Sequence, residues 1–198
     1  MRLFVALDID AGIRERIAAF RDELRPYAPN ARWVGSETFH ITLQFLGETE
    51  KLQEIKSALQ TVQGAPVQLA FRNAGFFPSP KAPRVFWVGI EGDANLQPLV
   101  SCVGRALAPL GFESESRPFQ PHLTLARTGS GRPQRIPGER VAPVWRALQD
   151  KLQTLAALEF GTMTAREFYL YESKLSPAGA RYTKLARYPL EQPQQATP

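Results

Sequence analysis

The stretch Phe39-His40-Ile41-Thr42-Leu43 is echoed by Pro121-His122-Leu123-Thr124-Leu125, and these two stretches hold the chain's only two histidines. In each copy the histidine is followed by an apolar residue, a threonine and a leucine. Successive side chains of a β-strand point to opposite faces. Both copies therefore predict a strand that presents a His-Thr pair on one face and an apolar anchor on the other.

Strict alternation also assigns the residues that follow the first motif. It places Gln44 on the face of His40 and Thr42, and Phe45 on the opposite, apolar face. We therefore expect Phe45 in the core.

The two motifs lie at matching places in an internal repeat. The apolar run Arg2–Leu7 resembles the run Arg84–Ile90, and His40 lies 38 residues after Arg2, as His122 does after Arg84. Both pairs are thus offset by 82 residues. A repeated unit indicates repeated structure. The repeat, spanning 2–46 and 84–127, predicts two similar lobes related by a pseudo-two-fold axis, with the His-Thr faces turned toward each other across a groove.

Hydrophobic periodicity predicts the other elements. Strands are expected at about 2–8, 40–46, 67–71, 84–90, 163–174 and 182–190. Helices are expected at about 11–24, with Asp10 as N-cap, at 50–63, from an Asp93 or Asn95 cap to Gly111, and at 143–158. Loops are expected at 76–80, 128–143 and 177–179. The fold class is α+β, with one bilobed domain over 1–190 and a frayed tail at 191–198.

Composition narrows the class of protein. The chain has 198 residues, 43% hydrophobic and 22% charged, which suits a globular domain. A net charge of +5 and a pI near 9.6 favour an anionic partner. The single Cys102 forms no internal disulfide and is predicted to be a buried structural thiol. The apolar run at the N-terminus is too short for a signal peptide or a membrane span, so we expect a cytoplasmic protein.

Two opposed His-Thr pairs suit the cleavage of a phosphodiester. Histidine titrates near neutrality, so one ring can remove a proton from the attacking oxygen while the other protonates the leaving oxygen. In-line displacement puts these two oxygens on opposite sides of phosphorus. Threonine hydroxyls on the same faces can donate to the non-bridging oxygens, where charge develops. The chemistry of the pattern therefore predicts acid–base catalysis by His40 and His122.

A metal or nucleotide cofactor is not expected. A zinc site takes three or four protein ligands, and two histidines are too few. Asp8 and Glu48 do not lie at a recognisable ligand spacing. The sequence also has no glycine-rich phosphate loop of the Walker or dinucleotide type.

At these residues the sequence resembles the 2H phosphoesterase superfamily, which is defined by two His-x-Thr-x motifs. Within it, the chain looks like the bacterial and archaeal 2′-5′ RNA ligase-like proteins that act as RNA 2′,3′-cyclic phosphodiesterases. The resemblance covers nearly the whole chain. It is carried by Arg2–Asp8, His40–Glu48, Arg117–Arg127, Leu170–Leu175 and Arg181-Tyr182.

The resemblance implies a fold and a reaction. The fold is bilobed, with two antiparallel-rich sheets beside a central groove. The reaction is metal-free hydrolysis of a terminal 2′,3′-cyclic phosphate to a 2′-phosphate. His40 would donate a proton to the departing O3′, His122 would activate water, and Thr42 and Thr124 would hold the phosphate. A basic residue at the position of Arg127 also belongs to the pattern.

The position of Arg127 in the predicted strand leaves two alternatives. Strict alternation points it away from the histidine face, as a solvated charge, unless the strand ends or bulges after Leu125. The arginines Arg117 and Arg181 are either RNA contacts or ordinary surface charges. The aromatic residues Phe119, Phe45 and Tyr182 are candidates to stack on a base.

Three functions remain open from the sequence. The first is hydrolysis of RNA 2′,3′-cyclic phosphate ends, with cyclic mononucleotides as further substrates. The second is 2′-5′ RNA ligation, the reverse reaction in the same site. The third is a non-catalytic module that binds RNA or nucleotides. We expect a monomer that does not bind membranes.

Overall fold

The computed structural model describes residues 1–113, 118–129, 143–176 and 179–191. The predictions that fall on Arg117, on 130–142, on 177–178 and on 192–198 lie outside this part of the chain. Within it, the elements follow in the order β1 (Arg2–Leu7), α1 (Ala11–Leu24), β2 (Ala31–Trp33), β3 (Ile41–Glu48), α2 (Leu52–Gln60), β4 (Val67–Phe77), β5 (Val85–Gly92), α3 (Leu96–Leu107), β6 (His122–Thr128), α4 (Pro143–Gln153), β7 (Glu159–Ala165), β8 (Glu167–Ser176) and β9 (Gly179–Pro189).

The strands form two sheets, one with four strands in the order β3-β1-β8-β9 and one with five in the order β2-β6-β5-β4-β7. All neighbouring strands are antiparallel. The predicted α+β class with two antiparallel sheets is confirmed. Each sheet combines strands from both ends of the chain, since β8 and β9 complete the sheet of β1 and β3.

The four-stranded sheet has a core face and a groove face, and β1 shows both. Alternate residues of β1 enter the main core, namely Leu3, Val5 and Leu7. The residues between them, Phe4 and Ala6, lie in a separate aromatic cluster with Tyr169 and Tyr171. The run Leu3–Leu7 is buried throughout because side chains cover both faces of this strand.

Helix α1 begins where the sequence predicts. The Asp10 carboxylate accepts a hydrogen bond from the backbone N–H of Gly12 at 2.8 Å, which confirms Asp10 as the N-cap. The helix buries its apolar stripe of Ile13, Ile17, Phe20 and Leu24. The Phe20 ring meets the Phe160 ring of β7 with centroids 4.9 Å apart, so α1 packs against the five-stranded sheet.

The predicted strand at 163–174 is wrong, because the chain there forms two strands of different sheets. β7 ends at Ala165 in the five-stranded sheet, and β8 begins at Glu167 in the four-stranded sheet. The exposed Arg166 separates the two strands, and four consecutive residues of β8, 168–171, are buried. The alternation that predicted one continuous strand therefore does not extend across both.

The predicted end of a strand at Phe71 and the predicted loop at 76–80 also need correction. β4 continues to Phe77, and Phe76 is buried. The polar pair Arg72-Asn73 marks an irregularity instead of a strand end: Asn73 has a φ of 63°, and the pairing with β5 shifts between Arg72 and Ala74. Asparagine tolerates this left-handed conformation better than most residues.

A β-bulge occurs at the same place in both His-Thr strands. In β3, Thr42 lies opposite Ala6 and Gln44 lies opposite Val5, so Leu43 is the extra residue. In β6, Leu125 is extra in the same way, because the pairing with β5 passes from Thr124 to Ala126. Each bulge therefore comes three residues after the histidine.

The bulge reverses the alternation that follows it. Leu43 and Gln44 are both buried, and Phe45 is 56% exposed. The expected placement of Gln44 with the histidine and of Phe45 in the core is therefore wrong. In the second strand Leu125 and Ala126 are both buried. Arg127 then lies on the same face of the strand as His122. Of the two directions considered for this side chain, the structure therefore shows the one toward the histidine face.

The bulges also relate the two halves of the chain. The motif strands β3 and β6 correspond with an offset of 82, as the histidines do. The partner strands correspond with an offset of 81, because Ala6 lies opposite Thr42 while Trp87 lies opposite Thr124. The sequence repeat aligns these two strands with an offset of 82 residues, whereas their positions in the two sheets correspond with an offset of 81.

Candidate active site

The first histidine is held on both ring nitrogens. His40 precedes β3, and its Nδ1 lies 2.7 Å from the carbonyl oxygen of Thr38. Its Nε2 lies 3.1 Å from the hydroxyl of Thr42, on the same face of the strand. The predicted His-Thr pair of the first motif is therefore a hydrogen-bonded pair.

The second histidine has the same backbone support. His122 begins β6, and its Nδ1 lies 2.8 Å from the carbonyl oxygen of Gln120, again two residues earlier. A carbonyl oxygen accepts hydrogen bonds and does not donate them, so Nδ1 carries a hydrogen in both rings. In the neutral ring, Nε2 is then the basic nitrogen. Both motifs therefore prepare the same nitrogen for proton transfer.

Strands β3 and β6, which begin at or directly after the two histidines, contact each other although they belong to different sheets. His122 and Arg127 of the five-stranded sheet both lie close enough to His40 to lower its pKa. Burial lowers the pKa of His40 most, while the Thr38 carbonyl and Asp8 raise it in part. The free protein therefore favours the neutral imidazole at His40.

Aromatic rings form the wall beside His40. Its ring centroid lies 4.7 Å from that of Phe4 and 5.1 Å from that of Tyr182, which it meets edge-on. Phe4 in turn stacks on Tyr171, with centroids 5.1 Å apart. The exposed Phe45 extends this wall, its centroid 6.1 Å from that of Phe4. The His40 ring is thus oriented by packing as well as by hydrogen bonds.

The wall beside His122 is built from other residues. The Phe77 ring meets His122 edge-on with centroids 4.9 Å apart, and it also contacts Trp87 at 5.0 Å. Trp87 lies against Gly75, where an added Cβ would come within 2.6 Å of the indole ring. Glycine at position 75 is therefore needed for this packing. Phe77 and Trp87 were not predicted as site residues, because both lie outside the motifs.

The other residues that the sequence analysis singled out lie in different parts of the structure. Tyr182 lies at the groove, whereas Phe119 is partly buried against the main core. Arg181 is exposed on β9. Cys102 is half-buried on α3, where its sulfur accepts a hydrogen bond from Arg105. Among these, the geometry places Tyr182 in contact with a histidine.

The residues weighed as metal ligands have other partners. Asp8 accepts hydrogen bonds from Arg14 at 2.6 Å and from Lys184 at 2.5 Å. Glu48 lies 3.8 Å from the N-terminal ammonium. Over the described ranges, no group of three or more His, Cys, Asp and Glu residues could hold a metal ion. Nor does any helix there have the length and apolar character to cross a membrane.

Known proteins resemble this chain over most of its length. The model of the family described as LigT like Phosphoesterase matches residues 7–87 and 88–182. The RNA 2′,3′-cyclic phosphodiesterase of Archaeoglobus fulgidus is 35% identical over 187 residues, which are 93% of this chain and 98% of the relative. That of Methanothermobacter thermautotrophicus is 32% identical, over 93% of this chain and 96% of the relative.

Solved structures show the same fold. The structure of TT0787 from Thermus thermophilus superimposes with a TM-score of 0.75 and 25% identity, over 96% of this chain and 98% of that one. The E. coli LigT structure complexed with 3′-AMP gives a TM-score of 0.74 and 28% identity, with the same coverage. The chain belongs to the LigT-like phosphoesterase family, within the 2H phosphoesterases.

Proposed function

We propose that this chain hydrolyses the 2′,3′-cyclic phosphate at the end of an RNA strand to a 2′-phosphate. The observation that carries the proposal is the pair of histidines from different sheets, in each of which Nδ1 donates to a backbone carbonyl, so that Nε2 is the basic nitrogen of the neutral ring. The relatives of Archaeoglobus and Methanothermobacter, which bear the name of this activity, support it.

Each histidine has one proton to move. Nε2 of His122 takes a proton from water, whose oxygen attacks phosphorus. The bond between phosphorus and O3′ breaks, and His40 gives its proton to O3′, leaving a 3′-hydroxyl and a 2′-phosphate. The two side chains thus supply both proton transfers of the reaction.

The anionic substrate prepares His40 for its role. Burial and Arg127 lower the pKa of His40 in the free protein. A cyclic phosphate bound beside the ring carries a negative charge, which raises the pKa of His40 and favours the imidazolium that acts as donor. Thr42, Thr124 and Arg127 share the histidine face and donate to the non-bridging oxygens, where charge develops.

The same proposal covers partner, assembly and location. The substrate is RNA, and cyclic mononucleotides carry the same reactive group. Both halves of the site come from one chain, so a monomer suffices. The chemistry needs no metal, and we place the protein in the cytoplasm with its RNA.

The test uses an oligoribonucleotide with a 2′,3′-cyclic phosphate end, in EDTA, with the wild-type protein, His40→Ala and His122→Ala. We expect the wild type to form a 2′-phosphate and each variant to lose on the order of 100-fold to 10,000-fold in turnover. Affinity for 3′-AMP, measured in parallel, should persist in both variants.

Other outcomes separate the alternatives. Binding without turnover by the wild type would indicate a binding module. Turnover that returns only with added metal would contradict the two-histidine mechanism. Incubation of the oligoribonucleotide that bears the cyclic phosphate with an RNA that bears a 5′-hydroxyl tests 2′-5′ ligation in the same site, since that hydroxyl would replace water in the attack on phosphorus while O3′ leaves.

A further inference from the structure

Two arginines face each other on neighbouring strands at the edge of the groove. Arg32 of β2 pairs directly with Arg127 of β6, so both side chains leave the sheet on the same face. This is the histidine face, because the bulge at Leu125 turns Arg127 toward it. Both arginines are exposed. Like charges directly opposite each other destabilise a sheet, so the pair has no structural advantage.

The charges of this pair are not neutralised within the described part of the chain. No ion pair there involves Arg32 or Arg127, whereas Arg14, Arg21 and Arg187 each pair with a carboxylate. A guanidinium offers donors in a fixed fork that matches phosphate oxygens. Two such groups side by side form a surface for two neighbouring anions.

The pair belongs to the groove and not to a distant surface. Burial raises the pKa of Tyr182, and Arg127, Arg2 and Arg32 each lower it. The Tyr182 ring contacts His40 at 5.1 Å. Because Arg32 lies directly opposite Arg127 on the neighbouring strand, the two side chains can contact one extended ligand.

We propose that Arg32 binds the phosphate that precedes the terminal nucleotide of the RNA. This rests on the proposed function, in which Arg127 contacts the terminal cyclic phosphate. A cyclic mononucleotide has no second phosphate, so it fills the Arg127 position and leaves the Arg32 position empty. The pair then favours an RNA strand over a cyclic mononucleotide.

The experiment compares Arg32→Gln with the wild type on two substrates, a short oligoribonucleotide with a cyclic end and 2′,3′-cyclic AMP. We expect kcat/KM for the oligoribonucleotide to fall about tenfold, as the loss of one charge-assisted hydrogen bond predicts. The dependence of this kcat/KM on salt concentration should also become weaker, by the amount expected for the loss of about one phosphate contact. The kcat/KM for 2′,3′-cyclic AMP should not change.

Two control variants identify the cause. Arg105→Gln removes the same charge from the outer helix α3 and should leave both substrates unaffected. Arg32→Lys keeps the charge and should retain part of the preference. The midpoint temperature of thermal unfolding of Arg32→Gln should equal or exceed that of the wild type, because the variant removes a contact between like charges.

The remaining outcomes overturn the proposal. An equal loss on both substrates would mean that Arg32 acts on the terminal phosphate, and no loss on either would make it a solvated charge. If the wild type hydrolyses neither substrate, the proposed function fails independently. Binding of the oligoribonucleotide to the wild type and to Arg32→Gln then still tests the second phosphate position, and equal affinity would exclude it.

Discussion

Each histidine is oriented by the carbonyl group two residues before it, at Thr38 and at Gln120. This hydrogen bond is local to each motif, whereas the rings that pack on the histidines come from other strands. The two motifs therefore carry within themselves the backbone group that holds each ring, and the role of the pair in catalysis stays a prediction. The sequence did not reveal the electrostatic setting, since Asp8 and Arg127 reach His40 through the fold.

The pKa of His40 gives a prediction for the free protein. Burial lowers this pKa below 6.5, so we expect one of the two histidine signals in a ¹H–¹³C NMR titration to have a midpoint below that value. The signal absent from His40→Ala identifies it. Inorganic phosphate should raise the midpoint, because an anion stabilises the imidazolium. An unshifted midpoint in both states would contradict the proposed role of His40 as donor.

The same shift makes stability depend on pH. The folded-state pKa of His40 lies below the unfolded value, so the folded state binds fewer protons. This contribution is fully present above the unfolded pKa, near 6.5, and is lost as the pH falls through the folded-state pKa. We expect the denaturation midpoint to fall less at acidic pH in His40→Gln than in the wild type.

At the scale of the element, the bulges after each histidine motif are the main feature that the sequence left hidden. Alternation is a rule of period two, and one inserted residue reverses it without a change in composition. The stretch from Leu43 to Leu46 remains as apolar as a regular strand would be. Pairing with β1, which the sequence does not show, is what reveals the extra residue.

The bulge predicts an unusual response to substitution in β3. Phe45→Ala should cost less than about 1.5 kcal/mol of unfolding free energy, because the ring is 56% exposed and meets the Phe4 ring at a centroid distance of 6.1 Å. Phe71→Ala is the matched control, since that ring is 1% exposed, and should cost about 3–5 kcal/mol. Denaturant unfolding measures both, and equal losses would place Phe45 in the core.

At the scale of the whole molecule, the sequence repeat and the sheets divide the chain differently. The repeat suggests one lobe for each half, yet β8 and β9 complete the sheet that β1 and β3 begin. β4 crosses in the other direction, to lie between β5 and β7. Periodicity locates strands but does not state their partners, so this exchange could not be predicted from the sequence.

The exchange predicts that half of the chain does not fold alone. A fragment of residues 1–83 retains β1 and β3 of the four-stranded sheet but lacks β8 and β9. We expect it to show no cooperative thermal transition by circular dichroism, because β1 and β3 alone form a two-stranded sheet without the neighbouring strands β8 and β9. The intact chain is the control. A cooperative transition of the fragment would mean that each half is an independent domain.

The paired bulges also give the groove a direction. A groove with perfect two-fold symmetry would accept a bound strand in either of two orientations with equal free energy. The residue five positions after each histidine breaks this equality, since it is a phenyl ring at Phe45 and a guanidinium at Arg127. Bases prefer the first and phosphates the second. Under the proposed function, the two ends of a duplicated scaffold would therefore bind different parts of a nucleotide and distinguish the polarity of the strand.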